Sequence, residues 1–163
     1  MAVRSLALGA ALALSTSSAF ALSCAQPQIE RSFNSWVDAE ETYYIGVGSL
    51  KSTSALPEIP RQHFPSNDFG KKEPFSASYL FTGELLDGDQ GYPVELPITI
   101  NVSCIGPWCG GFPKEGTTGL MALRGVGLLN LTLDIHACPG AIFPAEVEPT
   151  VSACIRAGRC GSG

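Results

Sequence analysis

The sequence predicts a mostly β domain with a helix at each end, held together by disulfide bonds. Five segments of strand length are rich in aromatic and β-branched residues or alternate between apolar and polar residues. All six cysteines follow a secretory-type leader, and an even number there is typical of a disulfide framework. Gly46 and Gly48 lie two residues apart in the first strand, where they allow the strong curvature that a small closed barrel needs.

Residues 1–21 have the features of a secretory signal peptide. Arg4 supplies the positive charge, and residues 6–14 form an apolar core that is too short to span a bilayer. Residues 19–21, Ala-Phe-Ala, match a small-x-small cleavage site. We therefore expect export to the periplasm or the extracellular space, with residues 22–163 forming a single mature domain.

A lipoprotein attached through Cys24 is the competing interpretation of the leader. A lipobox usually has Leu three positions before the cysteine and a small residue two positions before it. In this chain those two positions hold Ala21 and Leu22. Lipidation would also leave an odd number of cysteines in an oxidising compartment. Cleavage after Ala21 without a lipid is therefore favoured.

The spacing of the cysteines narrows their many possible pairings. Cys104 and Cys109 flank a Gly-Pro turn, and Cys154 and Cys160 are also close enough to bond locally. This leaves one long bridge. The predicted pairs are Cys24–Cys138, Cys104–Cys109 and Cys154–Cys160.

The charge of the chain argues against a nucleic-acid partner. The formal net charge is −5, and removal of the leader with Arg4 makes it about −6. Binding to phosphates needs clustered Lys and Arg, and the mature chain has no such cluster. An anionic membrane surface is unfavourable for the same reason, and we expect no membrane insertion of the mature chain.

The first half of the mature chain begins with a helix and a strand. A helix is predicted over 27–37, because Pro27 suits a first helical turn and apolar residues recur at helical spacing. Residues 42–50 are predicted to form the first strand, which is rich in aromatic and branched residues. Residues 51–74 contain four prolines without periodicity, which predicts a long loop.

The next two strands are predicted at 75–86 and 92–104. The link between them, 87–91, has two aspartates beside glycines, but it lacks the spacing of a calcium-binding loop and predicts a hairpin turn. Five apolar residues alternate along the third strand. Pro93 and Pro97 cannot donate to a ladder, so the first half of this strand should be an edge or bulged.

The last two strands are predicted at 118–125 and 128–137. In the second of these, His136 falls on the polar face and should be exposed. A final helix is predicted over 145–157, with its regular part beginning near Pro149.

The mature chain resembles the netrin-like domain of the tissue inhibitors of metalloproteinases. The resemblance lies in the order of elements and cysteines and in scattered residues. The matching residues are Ser23 to Pro27, Cys109-Gly110, 120–123, 131–138 and Cys160. It implies a five-stranded, OB-like closed barrel with flanking helices, and it agrees with a Cys24–Cys138 bridge.

The inhibitory mechanism of that family does not carry over to this sequence. The family begins its mature chain with Cys-x-Cys, and the first cysteine chelates the protease zinc. Here the predicted N-terminus is Leu22, and a single cysteine follows it. The resemblance therefore implies the scaffold, and protease inhibition remains one alternative function.

A non-enzymatic binding module for a protein or small ligand is the favoured function. The sequence has no Gly-x-Ser-x-Gly elbow and no metalloprotease helix motif, and its two histidines are far apart, so no cofactor, metal or catalytic group is expected. Loops at one mouth of the barrel would carry binding. The candidate contact residues are Trp108, Phe112 and Phe64, with His63 beside the last.

A thiol–disulfide redox protein using Cys104 and Cys109 is the other alternative. Redox sites of that kind have two residues between the cysteines, at a helix N-terminus. Four residues intervene here, after a strand. A structural bridge is therefore the favoured interpretation.

Overall fold

A computed structural model describes residues 24–59, 73–105 and 108–161 and has the predicted mostly β architecture. Within these residues, five long strands and three two-residue strands lie between two helices. The elements are α1 (Ile29–Val37), β1 (Tyr43–Ser52), β2 (Phe75–Asp87), β3 (Gln90–Val102), β4 (Cys104–Ile105), β5 (Trp108–Cys109), β6 (Thr117–Arg124), β7 (Leu131–Ile135), β8 (Ile142–Phe143), a 3₁₀ turn (Ala145–Val147) and α2 (Glu148–Ala157). No helix in the described part of the chain is long and apolar enough to cross a membrane.

The five long strands form a ring of pairings. β1 pairs antiparallel with both β2 and β6, and β2 pairs antiparallel with β3. β3 and β7 run parallel, from Ile98 beside Leu131 to Val102 beside Ile135. One residue pair, Arg124 with Thr132, links β6 to β7. The short β8 pairs with β6 further back along β6.

The prolines of β3 lie where the strand has a free edge, as predicted. Residues 90–97 pair only with β2, whereas β7 joins the other side of β3 from Ile98 onward. Pro93 and Pro97 lack an N–H, so they are tolerated where no second neighbour requires a donor. Both prolines therefore lie in the half of β3 that precedes the parallel pairing.

Close packing inside the ring depends on the two glycines of β1. The aromatic side chain of Phe81, which is fully buried, lies over Gly46 and Gly48. A Cβ at Gly48 would come within 2.5 Å of the Thr82 carbonyl oxygen and 2.8 Å of the Phe81 ring. The buried residues of this inner core are Leu50, Ala77, Tyr79, Phe81, Ile98, Ile100, Val102, Met121, Leu123, Leu131 and Leu133.

A second apolar cluster holds the helices against the outside of β1 and β6. Ile29 and Phe33 of α1 and Val151 of α2 are buried there against Ile45 and Leu120. The C-terminal tail is tied to α1 as well. Asn34 donates to the Cys160 carbonyl at 3.2 Å and accepts from the Cys160 N–H at 2.9 Å.

The last strand is shorter than predicted. The prediction was 128–137, whereas β7 begins at Leu131 and ends at Ile135. Residues 125–130 instead form a loop in which Val126 and Leu129 are 92% and 87% exposed. Gly127 has a φ of 69°, a left-handed conformation that turns the chain before the alternating pattern can form a ladder.

The predicted turn after β2 and the predicted final helix are both present. Gly88 (φ 67°) and Asp89 connect the paired residues Asp87 and Gln90, which makes 87–91 a hairpin turn. The Asp89 carboxylate forms an ion pair with Arg156. Pro149 lies in the first turn of α2, where its missing N–H removes no helical hydrogen bond.

Candidate functional site

Three disulfides join the same cysteines that spacing predicts. They are Cys24–Cys138, Cys104–Cys109 and Cys154–Cys160, which span 114, 5 and 6 positions. All six cysteines lie in the described residues, and each is bridged. The long bridge connects the segment before α1 to the segment that follows β7, and the two short bridges close local loops.

The Cys104–Cys109 bridge closes a small hairpin, which we call the disulfide tip (residues 104, 105, 108 and 109). Ile105 and Trp108 face each other across this hairpin. Ile105 is 49% exposed and Trp108 is 38% exposed. The tip therefore presents an apolar pair to solvent at the end of β3.

Backbone hydrogen bonds hold the base of the tip against β7. The Ser103 N–H donates to the Ile135 carbonyl at 2.9 Å, and the Gly110 N–H donates to the Ser103 carbonyl at 3.0 Å. A Cβ at Gly110 would lie 2.8 Å from the His136 carbonyl oxygen, so the chain passes very close to β7 at this point. The bridge and these bonds together fix the direction in which the tip points.

Among the other residues predicted as contacts, Phe112 lies in the described part of the chain. Phe112 is half-buried and packs against the inner core. Its next neighbour is fixed too, because the Tyr79 hydroxyl donates to the Pro113 carbonyl at 2.9 Å. Part of the Phe112 side chain therefore belongs to the core, and a contact role for the exposed part stays a prediction. His63 and Phe64 lie outside the described residues.

A hollow of about 410 Å³ lies between the segment before α1 and the outer face of β6 and β7; we call it the N-terminal hollow. His136 of its lining is hydrogen-bonded to Ser103, the residue before the tip. Trp36 and Tyr43 form its aromatic wall, with ring centroids 6.4 Å apart and planes 28° apart. The charged and titratable side chains in the lining of the hollow include Arg31, Asp134 and His136. The hollow therefore offers both a flat apolar surface and hydrogen-bonding groups.

The carboxylate of Asp134 is held ionised by its neighbours. Its Oδ1 accepts from Asn101 Nδ2 at 3.1 Å, and its Oδ2 accepts from Arg124 Nε at 2.8 Å. Burial alone would raise the pKa of Asp134, but the hydrogen bonds from Arg124 and Asn101 outweigh it and hold the pKa below the ordinary aspartate value. The hydrogen bond with Asp134 in turn raises the pKa of the Arg124 guanidinium.

Burial raises the pKa of the Tyr43 hydroxyl on the aromatic wall, and the nearby charge of Glu41 adds to that rise. The Tyr43 hydroxyl is therefore protonated at neutral pH and available as a hydrogen-bond donor.

A serine and a histidine meet between the hollow and the tip. Ser103 Oγ lies 2.6 Å from His136 Nδ1, and His136 is exposed, as predicted. A serine nucleophile needs a base that a third group orients. Both oxygens of Asp134, the carboxylate two residues before His136, are used by Asn101 and Arg124. The Ser103–His136 pair therefore places two hydrogen-bonding side chains between the hollow and the tip.

Sequence reasoning missed most of the hollow. Trp36 and Tyr43 belong to a helix and a strand, and only the turn between them brings their rings together. The position of Ile105 could have been predicted from the sequence, because Ile105 is the apolar residue next to Cys104, just as Trp108 is next to Cys109. A hairpin closed by those cysteines must place the two side by side.

Comparisons with known proteins found no matching family model, no matching curated protein and no matching solved structure.

Proposed function

We propose that this chain is an exported, disulfide-bonded binding module that contacts a protein or small ligand through the disulfide tip and the N-terminal hollow beside it. Binding would rest on shape and surface contacts, without a catalytic step. The scaffold we propose is a closed five-stranded barrel of the OB type, as the resemblance to netrin-like domains implies.

The strand order supports the barrel. An OB fold is a five-stranded Greek-key barrel, and the ring β1–β2–β3–β7–β6–β1 has five members. The paired glycines of β1 and the crowded Phe81 agree with tight coiling of this ring. Since such barrels host many unrelated activities, the function must come from the surface.

The leader and the bridges support export. Disulfides form and persist in oxidising compartments outside the cytosol. Residues 1–21 carry the pattern of a cleavable signal, and every cysteine after that point is paired. Cys24 is bonded to Cys138, so its sulfur would not be available for a lipid.

The observation that carries the binding proposal is the exposed Ile105–Trp108 pair on a hairpin that a disulfide closes. Exposed tryptophan is a frequent source of binding energy at interfaces. A rigid hairpin loses little conformational entropy when it is covered, so more of the contact energy appears as affinity. The hollow's aromatic wall extends the contact surface toward α1.

Affinity capture with matched variants tests this proposal. The tagged mature chain, oxidised, is incubated with the native exported fraction of the source cells, and bound material is identified by mass spectrometry. We expect at least one component that wild type retains and that Trp108→Ser and Ile105→Ser lose. Leu129→Ser is the control, because it removes an equally apolar exposed residue from a different loop. If Trp108→Ser captures the same components in the same amounts, the tip does not bind.

A further inference from the structure

A second hollow opens where β1 and β2 separate. The β1–β2 ladder runs from Ser52 opposite Tyr79 to Gly46 opposite Leu85 and ends there. β1 nevertheless begins at Tyr43, and β2 continues to Asp87. The space between these unpaired strand ends, which we call the β1–β2 cleft, has a volume of about 240 Å³.

The lining of the β1–β2 cleft is entirely aromatic and aliphatic. It consists of Phe33, Trp36, Val37, Tyr43, Tyr44, Ile45, Leu85, Leu86 and Ile155. Val37 is 47% exposed at its border. Since an apolar cavity of about 150 Å³ is enough to hold benzene, this cleft has room for one large apolar side chain.

One edge of β1 is also free within the cleft. Residues Tyr43 to Ile45 pair with β6 on one side, at Arg124, Leu123 and Ala122. Their β2 side has no strand neighbour in the described register. Such an edge can pair with an added extended segment through main-chain hydrogen bonds.

Three carboxylates that form no ion pair with another described residue lie next to the lining residues in sequence. Glu40 and Glu41 lie in the turn between α1 and β1, and Asp87 ends β2; all three are exposed. None of the three forms an ion pair with another described residue. The nearby Arg156 and Arg159 are already paired, the first with Asp89 and the second with Asp38 at 2.7 Å. Carboxylates thus precede the lining residue Tyr43 and follow Leu86, whereas the arginines of this region, Arg124, Arg156 and Arg159, are each paired with an aspartate.

We propose that the β1–β2 cleft is a docking site for an extended cationic polypeptide segment, which inserts one apolar side chain and sets its Lys or Arg residues against Glu40, Glu41 and Asp87. Charge complementarity selects this occupant. A second copy would bring the same carboxylates to the interface, and an anionic lipid surface would be repelled. The free edge of β1 favours an extended segment over a helix.

The cleft is separate from the disulfide tip. The tip follows Val102, which pairs with Phe75 at the start of β2, whereas the cleft is bordered by Leu85 and Leu86 near the end of β2. These positions are on the order of 30 Å apart along the strand. The docking proposal can therefore be tested apart from binding at the tip, although the cleft shares Trp36 and Tyr43 with the N-terminal hollow.

The test measures binding of two synthetic peptides to the oxidised mature chain. One peptide alternates leucine and lysine, and the other alternates leucine and glutamate. We expect calorimetry to detect the lysine peptide alone, with affinity falling steeply as salt is raised, because exposed charges are screened within about 10 Å at 0.1 M salt. We expect amide NMR shifts at Val37 and at 43–45, with no change at Trp108.

Matched variants locate the binding. Val37→Lys puts a cation at the border of the cleft and should weaken the lysine peptide by about tenfold, and Glu41→Lys should weaken it in the same direction. Leu129→Lys and Glu115→Lys are the charge-matched controls outside the cleft, and they should bind as wild type. Thermal melting establishes that each variant is folded.

Several outcomes would overturn the docking proposal. It fails if the lysine peptide does not bind, if the glutamate peptide binds equally well, or if Val37→Lys has no effect. Concentration-dependent dimerisation that Val37→Lys abolishes would assign the cleft to a second copy instead. Binding to phosphatidylglycerol vesicles without peptide binding would assign it to a lipid surface.

Discussion

The long Cys24–Cys138 bridge should contribute far more to stability than the bridge at the tip. It spans 114 positions, whereas Cys104–Cys109 spans 5. On the chain-entropy model, the long bridge stabilises the fold by about 5 kcal/mol and the short one by about 2 kcal/mol. Because whole domains are stable by about 5–15 kcal/mol, loss of the long bridge would remove a large part of the total.

Urea unfolding of paired-serine variants measures this difference. Cys24→Ser with Cys138→Ser is compared with Cys104→Ser with Cys109→Ser, both oxidised and alongside wild type. We expect the first variant to lose the larger free energy of unfolding and to show a higher m-value, because its unfolded chain exposes more surface. All four cysteines are only half-buried, so cavity formation should contribute little to either result.

A particular result would refute this reasoning. If the tip variant loses as much stability as the long-bridge variant, the entropy of the unfolded chain does not govern the effect. The bond from Ser103 to Ile135 at the end of β7 and the bond from Gly110 to Ser103 would then depend on the short bridge. In that case the tip would be part of the folding core rather than a presented surface.

Two further predictions concern the ring and its outer face. Gly48→Ala should lower the free energy of unfolding by about 1–3 kcal/mol or more, the range typical of overpacking, because the added Cβ would meet backbone atoms and the Phe81 ring. Gly111→Ala is the control and should leave stability unchanged, because a Cβ there meets nothing within 4 Å. Equal melting temperatures for the two variants would contradict this packing. Asp134 has a lowered pKa in the folded state, so its contribution is present above the unfolded value of about 3.9 and is lost as pH falls through the lower folded value. The stability difference between wild type and Asp134→Asn should therefore shrink as urea titrations move from pH 7 to about pH 3, and a constant difference would argue against the Arg124 pair.

Local patterns in the sequence were enough to predict the strands of the ring. In β3, Ile98, Ile100 and Val102 alternate in sequence and are buried in the structure, since period-two alternation reports directly which face of a strand is covered. Pro93 and Pro97 also indicated the free edge, because the missing N–H is a property of the residue itself.

The same pattern failed at Leu129. It alternates with Leu131 and Leu133 in sequence, yet Leu129 is 87% exposed while the other two are buried. Alternation cannot say where pairing starts, and the pairing of β7 with β3 starts at Ile98, directly after Pro97, which has no N–H to donate. β7 therefore begins where its pairing with β3 begins, although the alternating pattern starts earlier in the sequence.

The candidate sites depended on contacts between distant elements. The stacked Trp36 and Tyr43 and the hydrogen-bonded Ser103 and His136 each join separate elements, and no spacing rule connects such pairs. The β1–β2 cleft arises because the ladder ends at Gly46 before β1 itself ends. Trp108 was predictable because cysteines close in sequence force a short hairpin.

Intact mass and disulfide mapping of the protein isolated from its native exported fraction tests the central claim most directly. We predict a chain that begins at Leu22, carries no lipid and has the bridges Cys24–Cys138, Cys104–Cys109 and Cys154–Cys160. A retained leader, a lipid on Cys24 or free thiols at Cys104 and Cys109 would contradict an exported module whose tip is held by a structural disulfide.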